Sequence, residues 1–192
     1  MNTINDRKII NQAKLILAEA DSDIFHGIHH AKGVATTAKE ILKYYPQADK
    51  RAVMIAAWWH DVGRKDLSEG HEQHSADLVS AELAKLNYDK AFMDKVSDAI
   101  KFHGLSMHPT TIEGQIIRDS DKLGYISIPR WKRVLKSPEY KSDTVNGKRT
   151  LLNFRDKVFR LDSSILELDI SKQIYDFRFP KFEYYINKIA KF

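Results

Sequence analysis

Apolar residues recur at spacings of three and four through most of the first 123 residues of this 192-residue chain. Nowhere do Val, Ile and Thr alternate with polar residues for long enough to build a sheet. The first pattern is one face of an α-helix, and the missing pattern is the mark of a half-buried strand. Together they restrict the chain to an all-α fold. Ile9, Ile10, Ala13, Ile16, Leu17 and Ala20 form the first stripe, which a polar break at Asp21-Ser22-Asp23 ends. Further helices are expected over about 26–44, 48–60, 71–86, 90–103 and 111–123. The second stops before Pro46, because the residue ahead of a proline disfavours the helical region. The third has an Ala/Trp-rich body that suggests deep burial, with Trp58 and Trp59 as core. Gly63 and Gly70 bracket a loop, and Thr110 or Thr111 is the expected N-cap of the helix over 111–123. Pro129, Pro138 and Gly147 cut the last third into short pieces. Helices are expected there over 149–161 and 181–191, the latter with Pro180 at its start.

The size fits one domain. The longest apolar run, Ala52 to Trp59, is eight residues, whereas a membrane-spanning helix needs about 20. The opening MNTINDRKII has no stretch apolar enough for a secretory signal. Cys is absent, which excludes disulfides, thiolate metal sites and Cys nucleophiles. A cytoplasmic enzyme or binding domain, with no membrane partner, is the expectation. Charge is uneven. Residues 1–121 hold 15 Lys and Arg against 18 Asp and Glu, a net −3, while residues 122–192 hold 16 against 8, a net +8. A basic third would attract an anionic partner. No basic block is dense enough to read as a nucleic-acid arm; the segment reads equally as a solvated surface or as an attractor of a small anion such as a nucleotide.

Eight histidines occur: His26, His29, His30, His60, His71, His74, His103 and His108. Seven lie at or near the ends of expected helices, where a side chain sits beside a loop and a cleft can form. The central feature is AAWWHDVGR, Ala56 to Arg64. A greasy helix ends there in adjacent His60 and Asp61. The pair offers an imidazole nitrogen and a carboxylate at one place, and a carboxylate has two oxygens with which to bridge two cations. His26 and His30, four apart, are expected on one helical face. His71 opens a helix, His103 closes one, and Asp121 lies near the end of another. Imidazole and carboxylate together suit first-row divalent metals such as Mn, Fe, Co, Ni or Zn.

Other motifs fail. His71-Glu72-Gln73-His74 is not the H-E-x-x-H of a zincin. The run from Asp119 begins like a calcium loop, but its fifth position is Leu123 and its twelfth Arg130. Neither a Walker loop nor G-x-S-x-G is present.

The order of these residues resembles the HD superfamily, metal-dependent phosphohydrolases named for a His-Asp dyad. His26-Gly27-Ile28-His29-His30-Ala31-Lys32-Gly33-Val34 is similar to the family's H-D-x-x-H-x-x-R-V, with Gly27 and Gly33 replacing its Asp and Arg. Asp119-Ser120-Asp121-Lys122-Leu123-Gly124 resembles its D-A-D-x-L stretch. His71-Glu72-Gln73-His74-Ser75-Ala76 resembles H-x-x-x-[GS]-A, and Ile100-Lys101-Phe102-His103 resembles I-x-x-H. The resemblance covers about residues 10–125 and extends weakly to Thr150–Phe159. It implies a helical bundle with its metal cleft at helix ends. It further implies a single domain over 1–192, with its core at about 10–125 and a basic, mostly helical extension over 126–192.

By this resemblance His30, His60, Asp61 and Asp121 hold one divalent ion (Mn, Fe, Co, Ni, Zn or Mg). His71 and His103 would form a second, weaker site across Asp61. The implied activity is hydrolysis of a phosphate ester or anhydride, with a nucleotide as the anionic substrate. The bound ion would lower the pKa of water and neutralise phosphoryl charge. Asp61, Arg64 and Lys122 are the catalytic candidates, the two cations as partners for phosphoryl oxygens; Lys65 is left open. His29 and His74 are read as supporting or surface residues, and His108 as a loop residue. Two other classes fit the same pattern: a di-iron oxygenase of the same superfamily, and a nucleotide sensor without turnover. Because the segment after Asp121 is basic, nucleoside polyphosphates are expected to be preferred over monophosphates, less so at high salt.

Overall fold

The computed structural model describes residues 3–19, 24–66, 69–141 and 144–189. Ala20 and the polar break 21–23 lie outside them. The described residues form helices joined by turns and loops, with no strand among them. They fall into two compact units, Met1–Asp121 and Lys122–Phe192.

The first unit is built around its third helix. In order it holds α1 (Thr3–Glu19), α2 (Ile28–Ile41), α3 (Lys50–Trp59), α4 (His71–Lys85), α5 (Lys90–Lys101) and α6 (Ile112–Lys122). α3 packs against α1, α2, α4 and α5. Its sequence explains that position: Ala52, Val53, Ile55, Ala56, Ala57 and Trp59 are all buried, and the alanines let neighbouring helices approach closely. Asp49 starts the helix by accepting from the backbone N–H of Arg51 at 3.0 Å and Ala52 at 3.2 Å, which are otherwise unpaired in a first turn. The Trp59 indole N–H donates to the Ile9 carbonyl at 3.1 Å, tying α3 to α1. Trp58 departs from the expected core role. It is half-buried, with the Lys14 ammonium 4.9 Å from its ring centroid.

A second tie crosses the same unit. Arg51 on α3 grips Asp6 on α1 through Nε at 2.7 Å and a terminal nitrogen at 2.9 Å. The Tyr88 hydroxyl, just before α5, donates to Asp6 at 2.6 Å. On α5, Phe92, Val96, Ala99 and Ile100 form the buried stripe, and Asp89 caps it through the Phe92 N–H at 2.8 Å. For α6 the structure selects Thr111 as the cap, its hydroxyl accepting from the Gly114 N–H at 3.2 Å.

Two local expectations are corrected here. His26 lies in a turn ahead of α2 rather than on it, because Gly27 stands at the N-cap with extended backbone. Its ring still meets that of His30 edge-on, 5.9 Å between centroids. The segment after Asp61 is not open loop: Val62–Lys65 forms a short 3-10 helix.

The second unit contains a 3-10 turn, Leu123–Ile126, then α7 (Ile128–Val134), α8 (Val145–Val158) and α9 (Asp169–Ile189). Pro129 does not cut the chain. It sits in the first turn of α7, where its missing N–H costs nothing. α8 begins a turn earlier than expected because Thr144 caps it, accepting from the Gly147 N–H at 2.9 Å. α9 contains Pro180 in its interior instead of beginning there. Aromatic packing on both sides of the proline overrides its helix-breaking tendency. Tyr175 stacks on Phe179 at 5.3 Å between centroids, and Phe182 meets Phe154 edge-on at 6.4 Å.

Candidate metal centre

Asp61 organises the site. α3 ends at Trp59, and His60 follows as its C-cap. Asp61 leaves helical geometry, with φ −110° and ψ 6°, and turns its carboxylate back into the cleft. There Oδ2 faces His30 Nε2 at 3.4 Å and His60 Nε2 at 3.4 Å. Oδ1 faces His71 Nε2 at 3.3 Å and His103 Nε2 at 3.6 Å. The two oxygens of one side chain therefore serve two pairs of imidazoles. Asp121, in the last turn of α6, approaches through His30, whose Nε2 lies 3.0 Å from Asp121 Oδ1.

Each histidine enters from a helix end. His30 is in the first turn of α2, His71 is the first residue of α4, and His103 follows the end of α5. The rings are buried and contact one another edge-on. Their outer nitrogens are fixed by the main chain. His60 Nδ1 lies 3.0 Å from the Ala57 carbonyl, and His103 Nδ1 lies 2.6 Å from the Ile100 carbonyl. A carbonyl can only accept, so in the neutral rings Nδ1 carries the hydrogen and Nε2 presents a lone pair to the cleft. This is how imidazoles are oriented around metals. Glu72 does the same for His71, its Oε2 lying 3.2 Å from Nδ1.

The donor set fits a cation. His30 Nε2 and His60 Nε2 are 3.2 Å apart, so a hydrogen or a cation must lie between them. Two groups, His30 with His60 and Asp61, and Asp61 with His71 and His103, could each hold a metal ion, their ligand atoms lying within 4.8 Å of one another. Burial would raise the Asp61 carboxyl, but a second proton on the surrounding rings, His60 foremost and then His103 and His71, would outweigh it and hold it well below the usual range; a cation in the cleft would take the place of those protons. Burial would lower His60, but Asp61 and then Asp121 outweigh it and raise it. The cleft thus favours positive charge.

The remaining sequence candidates divide. Arg64 is part of the cluster, with Nε 3.2 Å from Asp61 Oδ1 and Nη2 2.8 Å from His71 Nε2. Lys122 belongs to the second unit. It is buried, its ammonium 5.8 Å from the Tyr125 ring centroid. His29 and His108 are exposed, and His74 pairs with Asp66 at 3.2 Å. Two supporting groups escaped the sequence reading. Glu72 carried no signal beyond adjacency to His71. Arg118, 2% exposed, donates to the Leu105 carbonyl at 3.0 Å and so holds the loop that follows His103. Its sequence context, Ile116-Ile117 before it and Asp119-Ser120-Asp121 after it, gave no sign of burial.

Residues 27–126 match the HD domain family. The chain belongs to that family. Solved structures agree on the fold. A protein described as a predicted HD superfamily hydrolase, from an uncultured Thermotogales bacterium, is 23% identical with a TM-score of 0.67, covering 95% of this chain and 89% of its own. Bacillus subtilis YpgQ, crystallised with ADP, is 23% identical with a TM-score of 0.69, covering 97% and 96%. A Lactobacillus plantarum protein is 19% identical with a TM-score of 0.69, covering 98% and 95%. Among curated proteins none matches significantly. Among the described residues, no helix of this HD protein is long and apolar enough to cross a membrane.

Proposed function

We propose that this HD-domain chain is a metal-dependent phosphohydrolase that cleaves a phosphate ester or anhydride, with nucleotides as its substrate class. The observation that carries it is the division of the Asp61 carboxylate, each oxygen facing its own pair of buried imidazole nitrogens. In this reading His30, His60, Asp61 and Asp121 hold the principal ion. Asp61, His71 and His103 offer a second, weaker place. When bound, a divalent ion there polarises a phosphoryl oxygen and water. The chain's own part is to orient and exclude. The Ala57 and Ile100 carbonyls and Glu72 keep the ring nitrogens aimed inwards. Burial keeps the field undiluted by water. Arg64 supplies donors for phosphoryl oxygens where charge grows in the transition state. Nucleotide as the class is supported by the ADP complex of YpgQ, a protein of the same fold.

The test is phosphate or pyrophosphate release from nucleoside mono-, di- and triphosphates and simple phosphoesters, with Mn²⁺, Co²⁺, Ni²⁺, Zn²⁺ or Mg²⁺ added to chelator-treated protein. Metal-dependent turnover of a nucleotide supports the reading. Oxygen consumption by iron-loaded protein without phosphate release would replace it with an oxygenase. Tight nucleotide binding without turnover, metal present, would replace it with a sensor.

A further inference from the structure

Arg64 reaches into the cluster because of the turn that carries it. In a 3-10 helix, side chains three apart eclipse. Arg64 stands three residues after Asp61 across the 3-10 turn Val62–Lys65, so its side chain folds over the carboxylate. Nε donates to Asp61 Oδ1 at 3.2 Å, and Nη2 donates to His71 Nε2 at 2.8 Å. His71 can accept there because its Nδ1 hydrogen faces Glu72 at 3.2 Å. The guanidinium thus engages two of the three atoms that the second trio offers a metal, Asp61 Oδ1 and His71 Nε2. The Oδ2 side of Asp61 is lined by His30 and His60 instead.

Resting on the metal reading above, we infer that Arg64 is a built-in cation for the second trio, which competes with a second metal ion for Asp61 Oδ1 and His71 Nε2 and so sets the centre at one tightly held ion. A dication at Oδ1 would meet a permanent positive charge within hydrogen-bond distance, and arginine does not deprotonate to escape it. For a second ion to bind, the guanidinium must leave. The Arg64 side chain is 27% exposed, so it can swing towards solvent without opening the core. A phosphate group, which a guanidinium binds through paired donors, would draw it the same way.

The experiment is calorimetric titration of metal-free protein with Mn²⁺, using wild type, Arg64→Met, Arg64→Gln, Arg64→Lys and the double variant Arg64→Met/His71→Ala. Wild type should bind one ion tightly and a second at least about tenfold more weakly. Arg64→Met and Arg64→Gln should tighten the second ion by about tenfold or more while moving the first by less than about threefold. Arg64→Lys keeps the charge and should keep the second ion weak. The double variant should lose the gain, since His71 is the donor being released. A second-ion affinity unchanged in both neutral variants overturns the inference. So does equal tightening of both ions, which a merely distant charge would cause, or two equally tight ions in wild type. A wild-type protein that binds no ion overturns the metal reading itself, and this inference with it.

Discussion

His60 and Asp61 are neighbours in the chain, yet both side chains enter one cleft, with His60 Nε2 3.4 Å from Asp61 Oδ2. Successive residues on a continuous helix would diverge by about 100°. Convergence is achieved because the helix ends between them, His60 keeping helical dihedrals and Asp61 leaving them. The dyad is therefore a property of a helix terminus. Its chemistry depends on where α3 stops as much as on the two residue types.

If the proposed phosphohydrolase reading holds, Asp61→Asn should remove bound metal and that activity together. The amide is isosteric, but it loses the charge and turns one oxygen into a donor that faces imidazole nitrogens. Metal affinity should fall by at least about 100-fold, the upper range for disturbing a site's supporting groups. His71→Ala, which touches only the Oδ1 side, should spare the principal ion. Metal content after purification, with circular dichroism to confirm the fold, separates these outcomes. Full metal occupancy in Asp61→Asn would remove Asp61 from the centre.

The Asp6–Arg51–Tyr88 cluster should give stability that depends on pH at both ends. Burial would raise Asp6, but hydrogen bonds from Arg51 and Tyr88 outweigh it and lower it below 3.8. Its contribution is therefore present above 3.8 and lost as pH falls through the lowered value. Burial and donation to Asp6 raise Tyr88 above 10.0. Its contribution is present below 10.0 and lost as pH rises through the raised value. Asp6→Asn should cost about 1–2 kcal/mol at pH 7, discounted for partial exposure. The variant should also flatten the acid limb of stability against pH. Urea unfolding at pH 3 and 7 measures both, and the alkaline loss is read above pH 10.

Much of this was written in the residue types. Apolar spacing located the helices, and Thr111 marked the start of α6. Histidines at helix ends pointed to a cleft. What the sequence hid depends on geometry that composition does not carry. The 3-10 turn after Asp61 looked like loop because four residues are too few to show a period, and with it went the placement of Arg64 over Asp61. Pro180 read as a helix start because local propensity favours that. The stacking of Tyr175 on Phe179 and the burial of Phe182 override it from outside the local sequence. Glu72 had no signature, since adjacency says nothing about which ring nitrogen a carboxylate reaches.

Gly33→Ala should stabilise the protein. Gly33 is in the middle of α2, and a methyl group there would meet nothing within 4 Å. The glycine costs helix stability through its freedom in the unfolded chain, and alanine should recover about 0.5–1 kcal/mol. Metal binding should not change, because the added carbon has no neighbour to displace. A rise in the thermal midpoint with unaltered Mn²⁺ titration confirms this. A fall would mean that α2 has a neighbour on that face in solution.

Gly63→Ala tests the opposite case, a glycine that the site requires. The Gly63 N–H donates to Ser75 Oγ at 2.9 Å, and a Cβ on Gly63 would stand 2.7 Å from the Ser75 backbone nitrogen. That nitrogen belongs to α4 and cannot step aside as the tip of a long side chain could. The added methyl must push the Val62–Lys65 turn away from α4, at about 1–3 kcal/mol, the usual range for overpacking a tight contact. The direction of the shift matters more than its cost. Asp61 sits at the start of the turn, and His71 lies one helical turn before Ser75, so the displacement should widen the gap between Asp61 Oδ1 and His71 Nε2. His30 and His60 approach Asp61 from α2 and α3 and should keep their places. Gly63→Ala should therefore weaken any second ion and loosen the Arg64–His71 contact, while the principal ion stays bound. Ser75→Ala, which deletes the hydrogen bond without adding bulk, should lose some stability but leave both ions as in wild type. Equal weakening of the two ions in Gly63→Ala would show that the turn and α3 move as one piece.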